Sequence, residues 1–153
     1  MNQKLAAWAS IAEIVSGIAV VVTLIVLIAE IRDNTQVLRV SAYADNVDSI
    51  NEFGALVSKD ADSARIWDAY VTGNTDDLDR IDLRRLQSWA YIQFRNYEKA
   101  YFSQRSGLLG AEEWERFDRT ICDFFRRAQS ASLNIEEPLT REFLDYVTSS
   151  CNE

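Results

Sequence analysis

The chain has 153 residues, of which 48% are hydrophobic, and it carries a formal net charge of -8 at pH 7. It contains no histidine, so the commonest general base and metal ligand is absent, and its acidity disfavours binding to nucleic acid. We therefore expect a protein that is not an enzyme and that has no catalytic residues, metal site or cofactor. One proline and five glycines favour long helices and predict an all-α fold.

The first element is an uncharged run that lies between Glu13 and Glu30. A membrane-spanning helix needs about 20 mostly apolar residues, and residues 5–31 provide that length. No small-residue cleavage site follows Ala29, which favours a retained anchor over a removable signal. The sequence predicts an N-terminal transmembrane helix over residues 1–35 and a soluble helical bundle domain over residues 36–153.

Charged residues beside the span bear on its orientation. Lys4 lies on one side and Arg32 and Arg39 lie on the other, a slight excess that predicts a cytoplasmic C-terminal domain. Two cysteines are too few for a disulfide framework, and Cys122 and Cys151 are predicted to be unpaired thiols. Free thiols agree with a reducing compartment.

Seven residues of the span follow one another at alternating spacings of three and four, which is one seam of a heptad, and nearly every polar group of the span lies on it. The residues of this seam are Glu13, Ser16, Val20, Thr23, Leu27, Glu30 and Asn34. Gly17 lies beside the seam and would let a neighbouring helix approach closely. Because ionisable groups in a membrane face a bundle interior or a water-filled cavity, the seam predicts self-association. The alternative is that Glu13 and Glu30 mark the two membrane interfaces.

Helical spacing continues beyond the membrane, since apolar residues recur from Val37 to Val57. A short helix capped by Asp62 or Ser63 is expected next, and a long one should begin at Asp79 or Asp82. Further helices are predicted from about residue 111 and after residue 138, with aromatic side chains inside. The predicted architecture is a long transmembrane helix that continues into a cytoplasmic antiparallel helical bundle.

Several short motifs along the chain are similar to those of a group of other proteins. They are Ile31-Arg32-Asp33-Asn34-Thr35, Phe94-Arg95-Asn96-Tyr97, Tyr101, Gly107-Leu108-Leu109 and Trp114. With them the chain resembles a group of uncharacterised bacterial single-pass membrane proteins with one N-terminal transmembrane helix and a small C-terminal helical domain. The resemblance implies that layout, with the span in a bacterial inner (cell) membrane, and implies no activity.

Two functions remain open from the sequence. In the first, several copies form a parallel homo-oligomer in the lipid bilayer, and the seam lines an ion channel or pore with acidic rings at Glu13 and Glu30. In the second, the protein is a membrane-tethered helical interaction or scaffold module without conductance, and its acidic domain binds an unknown protein partner.

Overall fold

The computed structural model describes residues 2–137 and 139–151, and it describes side chains at Trp8 and from Glu13 onward. In this part of the chain every regular element is a helix, which confirms the all-α prediction. The elements are α1 (Asn2–Val57), α2 (Ala61–Thr72), a single 3-10 turn (Thr75–Asp77), α3 (Arg80–Arg105), α4 (Ala111–Ser130) and α5 (Arg141–Ser150). The chain divides into two compact units, one up to Val40 and one from Ser41 onward. The predicted boundary after residue 35 stays a prediction.

Helix α1 runs without a break through the uncharged segment and ends at Val57. Its most apolar window of 18 residues has a mean hydropathy of 2.7, and none of that window is buried. By length and composition α1 can therefore cross a membrane. A helix of this hydropathy in the core of a soluble protein would be mostly buried by the rest of its chain. The apolar window of α1 is not buried at all. The Lys4 side chain, used in the charge count, lies outside the described residues.

Acidic residues begin the next two long helices. Asp60 caps α2, and its carboxylate accepts a hydrogen bond of 2.7 Å from the Ser63 amide. The predicted caps, Asp62 and Ser63, were therefore two and three residues late. This backbone hydrogen bond holds the pKa of Asp60 below its ordinary value. Asp79 caps α3 as predicted, and its carboxylate accepts from the amides of Ile81 and Asp82.

The last helix begins at Arg141, after residue 138 as predicted. Thr140 caps α5, and its hydroxyl accepts a hydrogen bond of 3.4 Å from the Phe143 amide. Pro138 itself lies outside the described residues. A Thr cap satisfies one of the amides that the first turn of a helix leaves without an intrahelical partner.

The core of the domain is built from aromatic rings that meet around Phe124 of α4. The ring centroids of Phe94, Tyr97, Tyr70 and Trp67 lie 5.3, 5.6, 5.1 and 5.8 Å from that of Phe124. The Tyr70 hydroxyl donates a hydrogen bond of 2.9 Å to the Phe124 carbonyl. The aromatic residues thus form a packed core, as their helical spacing predicted.

The end of α1, from Ser41 onward, belongs to this domain. The Asn96 side-chain amide on α3 donates 3.2 Å to the Ser49 carbonyl, and the Lys99 ammonium donates 2.9 Å to the Asp45 carbonyl. Phe53 packs edge-on against Trp67 of α2 at 5.2 Å between centroids. These contacts fix the end of α1 against α2 and α3.

The two cysteines are bonded to each other. Cys122 of α4 and Cys151 at the end of α5 form a disulfide with Cα atoms 4.9 Å apart. The prediction of two unpaired thiols was therefore wrong. The residues are 29 positions apart in sequence, but the segment after α4 leads α5 back to α4 and brings the two Cα atoms within bonding reach.

Candidate functional site

The predicted seam lies on one uninterrupted helix. All seven seam residues fall within α1 and are exposed, and at 3.6 residues per turn their spacing places them along one stripe. Glu13 and Glu30 are separated by about 25 Å of helix, close to the thickness of a hydrocarbon layer. Whether the seam residues line a pore or form a packing face stays a prediction.

The surface around the seam is continuously apolar. Ile14, Ile18, Val22, Ile25 and Ile28 are each between 52% and 62% exposed, and no other described segment covers them. Soluble monomers rarely expose apolar patches larger than a few hundred Å². An apolar surface of this extent is typical of a face that contacts lipid or another protein.

The surroundings of Thr23 and Gly17 on α1 bear on whether the seam packs against another helix. The Thr23 hydroxyl donates a hydrogen bond of 2.9 Å to the Ala19 carbonyl of its own helix, so Thr23 tolerates lipid as well as a packed interface. A Cβ added at Gly17 would meet nothing within 4 Å. Glycine in a helix interior is about 1 kcal/mol less favourable than alanine. Gly17 therefore has no packing role within its own described chain, which is consistent with a contact to another helix.

A second candidate site is a groove of about 470 Å³ in the helical domain. Helices α1, α3 and α4 supply its walls. Its lining residues are Tyr43, Val47, Ile50, Tyr97, Glu112, Glu113, Arg116, Phe117 and Thr120. An apolar wall opposite a charged edge suits an amphipathic segment of another protein.

The charged edge of the groove comes from the first turns of α4. Glu112 accepts a hydrogen bond of 3.2 Å from Arg116, one turn later, and Glu113 shares the first turn with Glu112. Carboxylates at this position are stabilised by the positive end of the helix dipole. This explains the acidic cluster without a ligand. No group of three or more His, Cys, Asp or Glu that could hold a metal ion occurs in the described residues.

Tyr97 forms the inner side of the groove. Burial raises the pKa of its phenol to about 12, against a smaller opposing effect of the Gln93 amide. The hydroxyl therefore stays protonated at neutral pH. The sequence analysis did not predict this groove. The signal for it in the sequence was the helical spacing of Tyr43, Val47 and Ile50, which places them on one face of α1.

Comparisons with protein-family models, with curated proteins and with solved structures gave no match to this chain. The class of protein is defined here by the fold alone. It is an all-helical protein with a small helical domain and one N-terminal helix that is long and apolar enough to span a membrane.

Proposed function

We propose that this protein is a homo-oligomer of a bacterial inner membrane, in which the α1 helices of several copies associate in parallel through the seam. The observation that supports the proposal is the uncovered apolar surface of α1, on which the polar residues concentrate along one stripe. Burying that stripe against other copies removes Glu13 and Glu30 from contact with lipid. Its partners are therefore other copies of itself and the bilayer.

In its conducting form the assembly is a cation channel. Rings of Glu13 and Glu30 at the two ends attract cations, and Val20 and Leu27 form apolar constrictions that gate by dewetting. Connections of a few residues between α1, α2, α3 and α4 suit an antiparallel bundle within each copy. Because each domain follows directly on its α1 helix, parallel association of these helices places the domains of neighbouring copies in a ring on one side of the membrane. A bundle packed without an axial opening is the other outcome of the same association.

The association is tested by a matched pair of bulky substitutions. Val20 on the seam and Ile18 away from it are 57% and 59% exposed in the single chain, so Val20→Trp and Ile18→Trp place the same ring at equally exposed positions. We expect Val20→Trp to weaken association about tenfold or more, equal to about 1.4 kcal/mol, and Ile18→Trp to leave it unchanged. The measurement is native mass in lipid nanodiscs. A monomeric wild type, or equal masses for both variants, contradicts the proposal.

A separate measurement, of conductance, tests whether the assembly is a channel. Confirmed wild-type oligomers in planar bilayers should pass cations, and Glu13→Gln should reduce the preference for cations over anions because it removes one ring of charge. Oligomers that pass no current support the closed bundle. Currents that are the same for wild type and Glu13→Gln contradict a pore lined by the seam.

The second candidate function is that of a membrane-tethered interaction module, and the groove is the observation that favours it. The groove has an apolar wall and a charged edge that includes Glu112 and Glu113. All of the net charge of -8 lies beyond Arg39, because three basic and three acidic residues balance up to that point. The partner surface that fits best is an amphipathic helix with basic residues beside its apolar face.

Site-specific crosslinking tests the interaction module in cells. A photoreactive residue replaces Ile50 in the groove or Val71 on α2, since these side chains are 37% and 42% exposed and lie in the same domain. We expect a partner adduct from position 50 alone. That partner, once purified, should bind Tyr43→Ala/Ile50→Ala about tenfold more weakly than wild type. Equal adducts at both positions, or adducts only with a second copy of the chain, exclude this function.

A further inference from the structure

The disulfide joins the two ends of a closed loop of chain. Cys122 lies in the second half of α4 and is partly exposed, whereas Cys151 follows the last residue of α5 and is 1% exposed. These two cysteines are the only ones in the sequence. A fold that places its only two cysteines 4.9 Å apart between Cα atoms is compatible with a stable bond and needs no backbone movement to form it.

The bond completes the attachment of α5 to the domain. Near the start of α5, the buried Glu98 accepts a hydrogen bond of 2.6 Å from the Thr140 amide. In the middle, Phe143 and Val147 are fully buried. The C-terminal end is held by Cys151. Helix α5 has only 10 residues and is too short to be stable alone, so attachment at both ends matters for its formation.

A structural disulfide carries information about the compartment. Such bonds persist in oxidising environments and are rare where cellular reductants keep thiols reduced. We propose that the helical domain faces the oxidising side of the membrane, where the Cys122–Cys151 disulfide forms and holds α5 in place. This is the reverse of the orientation that the charge count favours, and that count rests on a difference of one basic residue between the two sides of the span.

Bond formation needs an oxidant, which we assign to a thiol–disulfide oxidoreductase of the same compartment. The thiolate of Cys122, the more accessible residue, attacks the disulfide of the oxidoreductase and releases one of its two thiolates. The thiolate of Cys151 then attacks the Cys122 sulfur of the mixed disulfide and releases the other. The protein loses two protons and two electrons, and the oxidoreductase gains both. This inference needs the membrane span but not self-association.

Thiol trapping in cells tests the bond. Full-length protein is precipitated with acid from living bacteria, and free thiols are then labelled with a maleimide that adds visible mass on a gel. We expect no added mass before reduction and two additions after reduction. Two additions without reduction would mean that the cysteines are free in the cell, and this result overturns the proposal.

Labelling of single cysteines tests the orientation. Lys59→Cys, in an exposed turn of the domain, and Gln3→Cys, before the span, are each placed in a Cys122→Ala/Cys151→Ala chain. A membrane-impermeant maleimide should label Lys59→Cys in intact spheroplasts and Gln3→Cys only after lysis. Lys59→Cys with the native cysteines retained should give the same result, which guards against misfolding without the disulfide. Labelling of Lys59→Cys only after lysis overturns the proposal.

Discussion

Reduction of the Cys122–Cys151 disulfide is expected to lower the free energy of unfolding of the helical domain by about 3–4 kcal/mol. The bond closes a loop between residues 29 positions apart, and it restricts the unfolded chain more than the folded one. The measurement is denaturant unfolding of the full-length protein in detergent, followed by near-ultraviolet circular dichroism, with and without a reductant. The aromatic core supplies the signal, because Trp67, Trp89 and Trp114 all lie in the domain.

A cysteine-free chain is the control for this experiment. Cys122→Ala/Cys151→Ala, which buries no hydroxyl at position 151, should show about the stability of the reduced wild type and should not respond to the reductant. If the wild type unfolds at the same denaturant concentration with and without reductant, the bond does not contribute to stability. Selective loss of structure in α5 upon reduction, seen as faster amide exchange from residue 141 onward, would locate the effect at the end that the bond attaches.

Phe94→Ala is expected to destabilise the domain by about 3–5 kcal/mol, enough to unfold a domain of ordinary stability. Phe94 is fully buried, and its ring contacts those of Tyr97, Phe124 and Phe125 at centroid distances of 5.3 to 6.4 Å. Removing the ring leaves a cavity between α3 and α4 that the surrounding aromatic side chains cannot fill without shifting.

Two variants serve as controls for Phe94→Ala. Phe94→Leu keeps most of the apolar volume and should lose less stability than Phe94→Ala. Ile92→Ala changes a side chain two positions earlier on the same helix that is 44% exposed, and it should change stability by about 0.5 kcal/mol or less. The urea midpoint of the full-length protein distinguishes the three. A Phe94→Ala midpoint close to that of Ile92→Ala would show that Phe94 is not part of a rigid core.

The proposed orientation leaves the seam hypothesis intact but changes which side each acidic ring faces. With the domain on the oxidising side, Glu30 lies towards that side and Glu13 towards the cytoplasm. The crosslinking partner of the groove would then be a protein of the oxidising compartment. Native mass, conductance and cysteine labelling are separate measurements, so the assembly and the orientation can fail independently.

Local features of the chain were predictable from the sequence because they depend on residues that are close together along it. The uncharged run predicted a helix able to span a membrane, and the spacing of Phe94, Tyr97 and Tyr101 predicted a buried face on α3. The cap of α3 could be narrowed to Asp79 or Asp82 because a capping carboxylate bonds amides only two or three residues away, and the structure has Asp79 there. The cap of α2 was placed two or three residues late because three residues that can cap a helix, Asp60, Asp62 and Ser63, lie within four positions of one another.

The sequence by itself determined the helical class, the apolar helix and the stripe that carries Glu13 and Glu30, since the repeat of a helix is contained in a single segment. Only the tertiary structure decided that Cys122 bonds Cys151, and that Tyr43 and Ile50 of α1 share a groove with Phe117 of α4. The physical reason is that such pairings depend on how distant helices pack and how the connections between them turn. Neither is encoded in the periodicity of any one segment.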